Sequence, residues 1–185
     1  MSAFELRLAT DSDATAVAVF LDTAFRHTYS ATNRAVDIEL YCSKFYGPQY
    51  QAREIADKHM STLLLLENEE IMGVAQLRWG IPSHDFSDAE SAGEVQRFYI
   101  ADALHGKGAA QALMKSCFQS VLSRGLGWIW LAVWEANPRA IAFYRKLGFT
   151  EVAEQRFQLG EDVQRDLVMA RRISVSAQGG RFTFQ

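Results

Sequence analysis

Residues 94–113 read EVQRFYIADALHGKGAAQAL, and no other stretch of the chain limits the fold as tightly. Side chains alternate up to Ile100, two glycines follow at Gly106 and Gly108, and small and apolar residues then recur at helical spacing. The pattern is a strand, a glycine-bearing turn and the first turns of a helix. Such a turn points several backbone N–H groups outward where the helix begins. Those unpaired amides and the helix dipole favour a bound anion, most often a phosphate. Three amides on one anion each contribute on the order of 1.5–3 kcal/mol of gross charge-assisted hydrogen bonding. For HGKGAA taken alone, a turn with no ligand is the plain alternative.

Other phosphate motifs fit less well. A P-loop requires Ser or Thr after Gly-Lys, and Lys107 is followed by Gly108. A dinucleotide fingerprint requires a third glycine where Gln111 stands, although Glu135 at the end of the next strand keeps a nicotinamide enzyme as a rival. His27, His59, His84 and His105 show no metal-ligand spacing, so no metal is expected. Two cysteines, Cys42 and Cys117, are too few for a disulfide framework or a zinc knuckle. Cys117 falls on the apolar stripe of a predicted helix and reads as a reduced core thiol.

A chain of 185 residues, 49% hydrophobic and 22% charged, supports one domain with a sizeable core. That domain is assigned to 1–172. The tail, 173–185, has no core pattern, and the alternation over 181–185 would suit a strand added to a neighbouring sheet in a homodimer. A formal net charge of -3 without a basic run argues against nucleic acid as a partner. The opening MSAFELRLATDSD lacks a signal-peptide pattern. The longest apolar runs, 63–66 and 128–134, are too short to span a bilayer, so no membrane is expected and a cytoplasmic location is.

In chain order, the pattern predicts a strand over 4–8, then a helix with Ala14, Val17, Ala18, Leu21 and Phe25 on its apolar face. A loop over 27–33 precedes helices over 35–45 and 49–60, the last amphipathic through Tyr50, Ile55 and Met60. Strands over 62–67 and 71–79 are joined at Asn68-Glu69-Glu70, and a loop over 81–91 leads to a fourth strand, 93–100. The helix after the glycine turn runs to about Arg124, with Ala110, Leu113, Met114, Cys117 and Val121 on one face. A strand over 128–134, apolar enough to be buried on both faces, a helix from Asn137-Pro138 to Gly148, and strands over 150–159 and 163–171 complete the order. The fold class is α/β, a mixed sheet with helices on its faces and one strand-helix-strand crossover at its centre.

Two features of this order bear on chemistry. Asn137 reads as a helix N-cap. Tyr144, seven residues on, lies on the same helical face and is either a core tyrosine or a phenol at the mouth of a cleft. On the fourth strand, Glu94, Gln96, Phe98 and Ile100 share one face by alternation, polar first and then apolar. That face is either the floor of a polar site or a strand whose first half is solvated.

The run IADALHGKGAAQALM is similar to the acetyl-CoA-binding motif of the GCN5-related N-acetyltransferases (GNAT superfamily), and LAVWEANPRAIAFYRKLGF looks like that superfamily's second signature. Val-Trp-Glu-x-Asn paired with Ala-Ile-x-Phe-Tyr-x-Lys-x-Gly-Phe, and QLGEDVQRDLVM downstream, most resemble bacterial spermidine/spermine N-acetyltransferases. The resemblance covers the element order from Phe4 to Arg171. It implies a mostly antiparallel seven-stranded sheet with helices on both faces, splayed between strands four and five where the thioester enters. It implies that Phe98, Tyr99 and Ile100 bond the pantetheine arm of acetyl-CoA as an added strand. His105, Gly106, Lys107, Gly108, Ala109 and Ala110 would then wrap the pyrophosphate, and Asn137 would hold the pantetheine. Tyr144 would protonate the departing thiolate.

Two positions depart from the family pattern. His105 stands where Gln or Arg is usual, which backbone binding tolerates. Gln96 stands where a Glu often serves as general base, and an amide takes no proton at neutral pH; Glu94, through a water, is the candidate base in its place. The implied reaction is direct acetyl transfer to a small amine or polyamine in a ternary complex. A protein or peptide acceptor and a non-catalytic acyl-CoA sensor are the other readings. The acceptor pocket is expected among 27–39, 82–90 and the last hairpin, with Asp37, Glu39, Asp85 and Asp88 as acids for a polycation.

Overall fold

The computed structural model describes residues 4–81 and 92–173. Its strands are β1 (Glu5–Leu8), β2 (Met60–Glu67), β3 (Glu70–Arg78), β4 (Ala92–Ile100), β5 (Trp128–Trp134), β6 (Thr150–Leu159) and β7 (Asp162–Arg172). Its helices are α1 (Ala14–Tyr29), α2 (Ala35–Phe45), α3 (Pro48–Ala56), α4 (Ala109–Ser123) and α5 (Pro138–Lys146). The strands form one sheet in the order β1-β2-β3-β4-β5-β7-β6. Every neighbouring pair is antiparallel except β4 and β5, which α4 joins as the crossover that a parallel pair requires.

The sheet is covered on both faces, and the sequence of β2 records it. Leu63 and Leu65 join the core under α4 and α5, while Leu64 and Leu66 join the core under α1 and α2. A strand with no solvent face reads as an unbroken apolar run rather than an alternation. The β2–β3 turn places Asn68 at φ 53° and Glu69 at φ 66°, the left-handed pair that matches the twist of a two-residue hairpin. Gly93 is required by a close approach. A Cβ there would sit 2.7 Å from the Trp79 ring and 3.0 Å from Val121 on α4.

Most predicted elements coincide with observed ones, and the differences have physical causes. The first helix runs through the predicted loop to Tyr29, because Phe25 and Tyr29 pack ring to ring at 4.5 Å and continue the buried stripe. The third helix ends at Ala56, and Met60 already belongs to β2. Its buried residues are Gln51 and Glu54, not the apolar stripe expected through Tyr50, Ile55 and Met60. On α4, Ala109 and Phe118 are buried, whereas Ala110 lies only at the margin of the buried face. The predicted loop over 81–91, apart from Ile81, and the tail beyond Ile173 lie outside the described residues.

Candidate active site

Strands β4 and β5 pair only from Ala92↔Trp128 to Val95↔Leu131. Beyond that point β4 stays bonded to β3 as far as Ile100, and β5 stays bonded to β7 as far as Trp134. Among the described residues two strand edges therefore face each other unpaired in the middle of the sheet, over about 16 Å of β4 at the usual rise per residue. Unpaired main-chain groups there demand a partner. The cause of the parting is visible in the register. Gln76 pairs with Arg97 and Leu77 with Val95, so Gln96 is an extra residue, a β-bulge, at the point where β4 leaves β5. Bulges bend the strand that carries them and increase its twist.

The bulge also reverses the side-chain alternation, which corrects the expected shared face of Glu94, Gln96, Phe98 and Ile100. Val95, Phe98 and Ile100 point into the core under α4 and α5. Glu94, opposite Arg78, shares the other face with Arg97 and Tyr99. Glu94 is 6% exposed, and its carboxylate is held by Arg78 Nη2 at 2.7 Å and Nε at 2.8 Å.

On the α4 side, the turn after β4 places Gly106 at φ 75° and Gly108 at φ 83°, with Gly108 as the N-cap of α4. His105 N–H donates to Asp102 O at 3.0 Å and Lys107 N–H to Leu104 O at 3.2 Å. Those two amides are engaged inside the turn. The amides of Gly106, Gly108, Ala109 and Ala110 have no main-chain partner among the described residues and face the helix's positive end. The His105 ring meets Asp102 at 3.1 Å, and Asp102 also meets His27 of α1 at 3.2 Å, which ties the turn to the opposite layer.

Asn137 caps α5, its Oδ1 accepting from Ala140 N–H at 3.1 Å, which leaves the amide nitrogen as its available donor. Tyr144 is 8% exposed and packs beside Phe98, at 6.4 Å between rings, against the part of β4 that has left β5. Burial pushes its phenol well above the ordinary value, with Tyr29 and Cys117 adding to the shift. Phe98 and Ile100 present their side chains to the α4 side and Tyr99 to the α1 side, while the β4 main chain between them forms the open edge.

The α1–α3 side is aromatic and polar. Burial raises Tyr29 to about 12. Tyr29 also lies 5.8 Å from Trp134 between rings, and Tyr41 lies 5.4 Å from Phe157. Behind them Arg97 Nη1 donates to Glu54 Oε2 at 2.6 Å and to Gln76 Oε1 at 2.5 Å, and Gln76 Nε2 donates to Gln51 Oε1 at 2.8 Å. Of the acids expected to line the pocket, Asp37 is buried and accepts from Glu161 N–H at 2.8 Å while paired with Arg34 at 2.8 Å. Glu39 pairs with Arg26 at 2.9 Å. Asp85 and Asp88 lie outside the described residues.

One acid on this face had no signal in the sequence. Asp166 of β7 lies opposite Trp134, beyond the last β4–β5 pair. It is 7% exposed, and its Oδ1 is buried without a hydrogen-bond partner. Burial pushes its carboxyl up to about 6. Among the described residues no cluster of His, Cys, Asp and Glu fits a metal ion, and no helix is long and apolar enough to cross a membrane.

The sequence model of the Acetyltransferase (GNAT) family matches residues 23–149, a span that contains both edges of the gap, the glycine turn and Tyr144. The chain belongs to this family of acetyltransferases. An uncharacterized N-acetyltransferase of Mycobacterium bovis is 31% identical over 138 residues, covering 75% of this chain and 80% of that protein. Among solved structures, the PaiA N-acetyltransferase of Thermoplasma acidophilum in complex with coenzyme A aligns with a TM-score of 0.75 at 16% identity, covering 92% of this chain and 99% of that one. The putative acetyltransferase yncA of Salmonella typhimurium, with its cofactor acetyl-CoA, aligns with a TM-score of 0.64 at 22% identity, covering 95% and 97%. The shared fold accounts for the seven-stranded mixed sheet and its splay.

Proposed function

We propose that this GNAT acetyltransferase moves the acetyl group of acetyl-CoA to a small primary amine, by direct attack inside the gap between β4 and β5. The observation that carries the reading is that gap, two unpaired strand edges with Tyr144 packed beside one of them. An extended pantetheine arm satisfies the open edge of β4 from Phe98 to Ile100 as an added strand does. The amide of Asn137 is a donor for the same arm. The pyrophosphate fits the outward amides of Gly106, Gly108, Ala109 and Ala110, with His105 and Lys107 shaping the turn.

Within that placement, a main-chain N–H on the open edge of β4 stabilises the charge that develops on the thioester oxygen. Tyr144, kept protonated by burial, donates to the sulfur as the carbon–sulfur bond breaks. Holding both reactants in one cleft supplies much of the rate, since well-oriented groups gain roughly 7–11 kcal/mol in the best models. Both cysteines are buried, Cys42 near Arg26 and Asp22 and Cys117 on the core face of α4, which favours direct transfer over an acetylated thiol.

The test is free coenzyme A release from acetyl-CoA with a panel of amines: 2-phenylethylamine, spermidine and a peptide with a free N-terminus. Release with small amines and not with the peptide is expected. Binding of acetyl-CoA without release from any amine would instead make the protein a sensor.

A further inference from the structure

Asp166 is a buried acid of β7. Its Oδ1 accepts no hydrogen bond, and no cation pairs with it among the described residues. Its neighbour Arg165 turns away, held by Glu135 at 2.7 Å and Glu154 at 2.9 Å. From β5 the opposed residue is Trp134, and from β6 it is Gln155, neither of them titratable. From α1 the titratable group that feels Asp166 is the phenol of Tyr29. A buried acid without a partner costs stability, and proteins keep such groups where a ligand supplies what is missing.

The position names the ligand. Asp166 lies past the point where β4 and β5 separate, on the face opposite Tyr144. Beside it stand the aromatic walls of Tyr29 and Trp134, with their rings 5.8 Å apart. A buried carboxylate beside aromatic rings is the chemistry that takes up an ammonium ion. Of the other acids expected on this face, Asp37 and Glu39 are engaged by Arg34 and Arg26, and Asp85 and Asp88 lie outside the described residues.

Resting on the acetyl-transfer reading above, we infer that Asp166 receives the acceptor's ammonium group and takes its proton, and that the acceptor is a monoamine on an apolar body rather than a polycation. The ammonium enters as R–NH3+ and one proton passes from nitrogen to Asp166. In a dry cleft the neutral acid–amine pair is favoured over two buried charges. The freed lone pair forms the carbon–nitrogen bond and the carbon–sulfur bond breaks. The departing sulfur takes the Tyr144 proton, Tyr144 regains one from the acylated nitrogen, and Asp166 releases its proton to water. One ammonium and one thioester give one amide, one thiol and one released proton.

The experiment is the pH dependence of kcat/KM for 2-phenylethylamine, in the wild type and in Asp166→Asn. If Asp166 must be ionised and the amine must arrive charged, the wild-type profile is a bell, rising near 6 and falling near the amine's own value of about 10. Asp166→Asn should lose on the order of 10²-fold at pH 7.5 and rise steadily toward the amine's value instead. Its affinity for acetyl-CoA should stay within twofold. A variant that keeps the bell, or keeps wild-type rates, overturns the inference while leaving acetyl transfer intact. A wild type that binds no acetyl-CoA overturns the reading beneath it. A 13C titration of the Asp166 carboxyl in the wild type serves if the variant does not fold. A midpoint near 6 is expected, and ordinary ionisation near 4 would overturn the inference. Spermidine outpacing 2-phenylethylamine by tenfold in kcat/KM would overturn the monoamine assignment.

Discussion

Under α4 and α5 the sheet presents Leu77, Val95, Leu131, Val133 and Met169, a layer filled by carbon; under α1, α2 and α3 the same strands present Gln76, Arg97, Tyr99 and Asp166. The first face is held by burial, which is non-directional and tolerates exchange among residues of similar volume. The second is held by named hydrogen bonds, each needing its own partner. Two acids on that second face make the contrast sharper. Glu94 is fixed by Arg78, whereas Asp166 has no cation beside it among the described residues. On that polar face Asp166 is the buried acid with no cation among the described residues, the place where a cationic substrate would complete the network.

The largest effect that would break this comparison is at Glu54, whose carboxylate holds Arg97 behind the bulge. Glu54→Ala should lower stability by about 3–5 kcal/mol, read as a fall in melting temperature on the order of 10 °C. A change below 2 °C would mean that the polar face is held no differently from the apolar one. Tyr144→Phe should reduce kcat on the order of 10²-fold, with acetyl-CoA affinity unchanged in a titration. Full activity would return Tyr144 to the apolar core. Acetyl-CoA at a hundred times its dissociation constant should stabilise the protein by about 2.7 kcal/mol.

Gly108→Ala should weaken acetyl-CoA binding about tenfold, since a left-handed residue other than glycine costs roughly 1–2 kcal/mol. Open space surrounds the added Cβ, so the penalty is backbone strain, which the free turn relaxes and acetyl-CoA must restore. Gly125→Ala, at φ 72° and equally open, is the control, expected to cost stability and not affinity.

The smallest effect concerns stability and pH. Burial raises Asp166 above its unfolded value, so its contribution to stability is complete below about 4 and is lost as pH rises through about 6. Asp166→Asn should therefore melt above the wild type at pH 8, with the gap shrinking toward pH 4. A gap that does not change with pH would remove the burial argument.

Much of the carbon-filled face was legible in sequence. Leu113, Met114, Cys117 and Val121 recur at helical spacing, and a period survives wherever burial alone selects the residues. The glycine turn and the Asn137 cap were legible for the same local reason, since each is fixed within a few residues of itself. The polar face was not legible. Gln51 and Glu54 look like solvent-facing residues until Gln76 and Arg97, distant in sequence, close over them. The bulge at Gln96 has no signature in a single strand, because it exists only relative to β3, and it turned Glu94 away from Phe98. Asp166 lies in a strand of ordinary alternation, and only the parting of β4 from β5 gives it a role.

Everything proposed for the chemistry depends on the gap between β4 and β5 receiving the thioester. A crystal structure with coenzyme A tests this directly. The account predicts the diphosphate on the main-chain nitrogens of Gly106 and Gly108–Ala110, the pantetheine along the open edge of β4, and the sulfur beside Tyr144. Coenzyme A bound elsewhere, with β4 and β5 still parted and their edges bare, would contradict it.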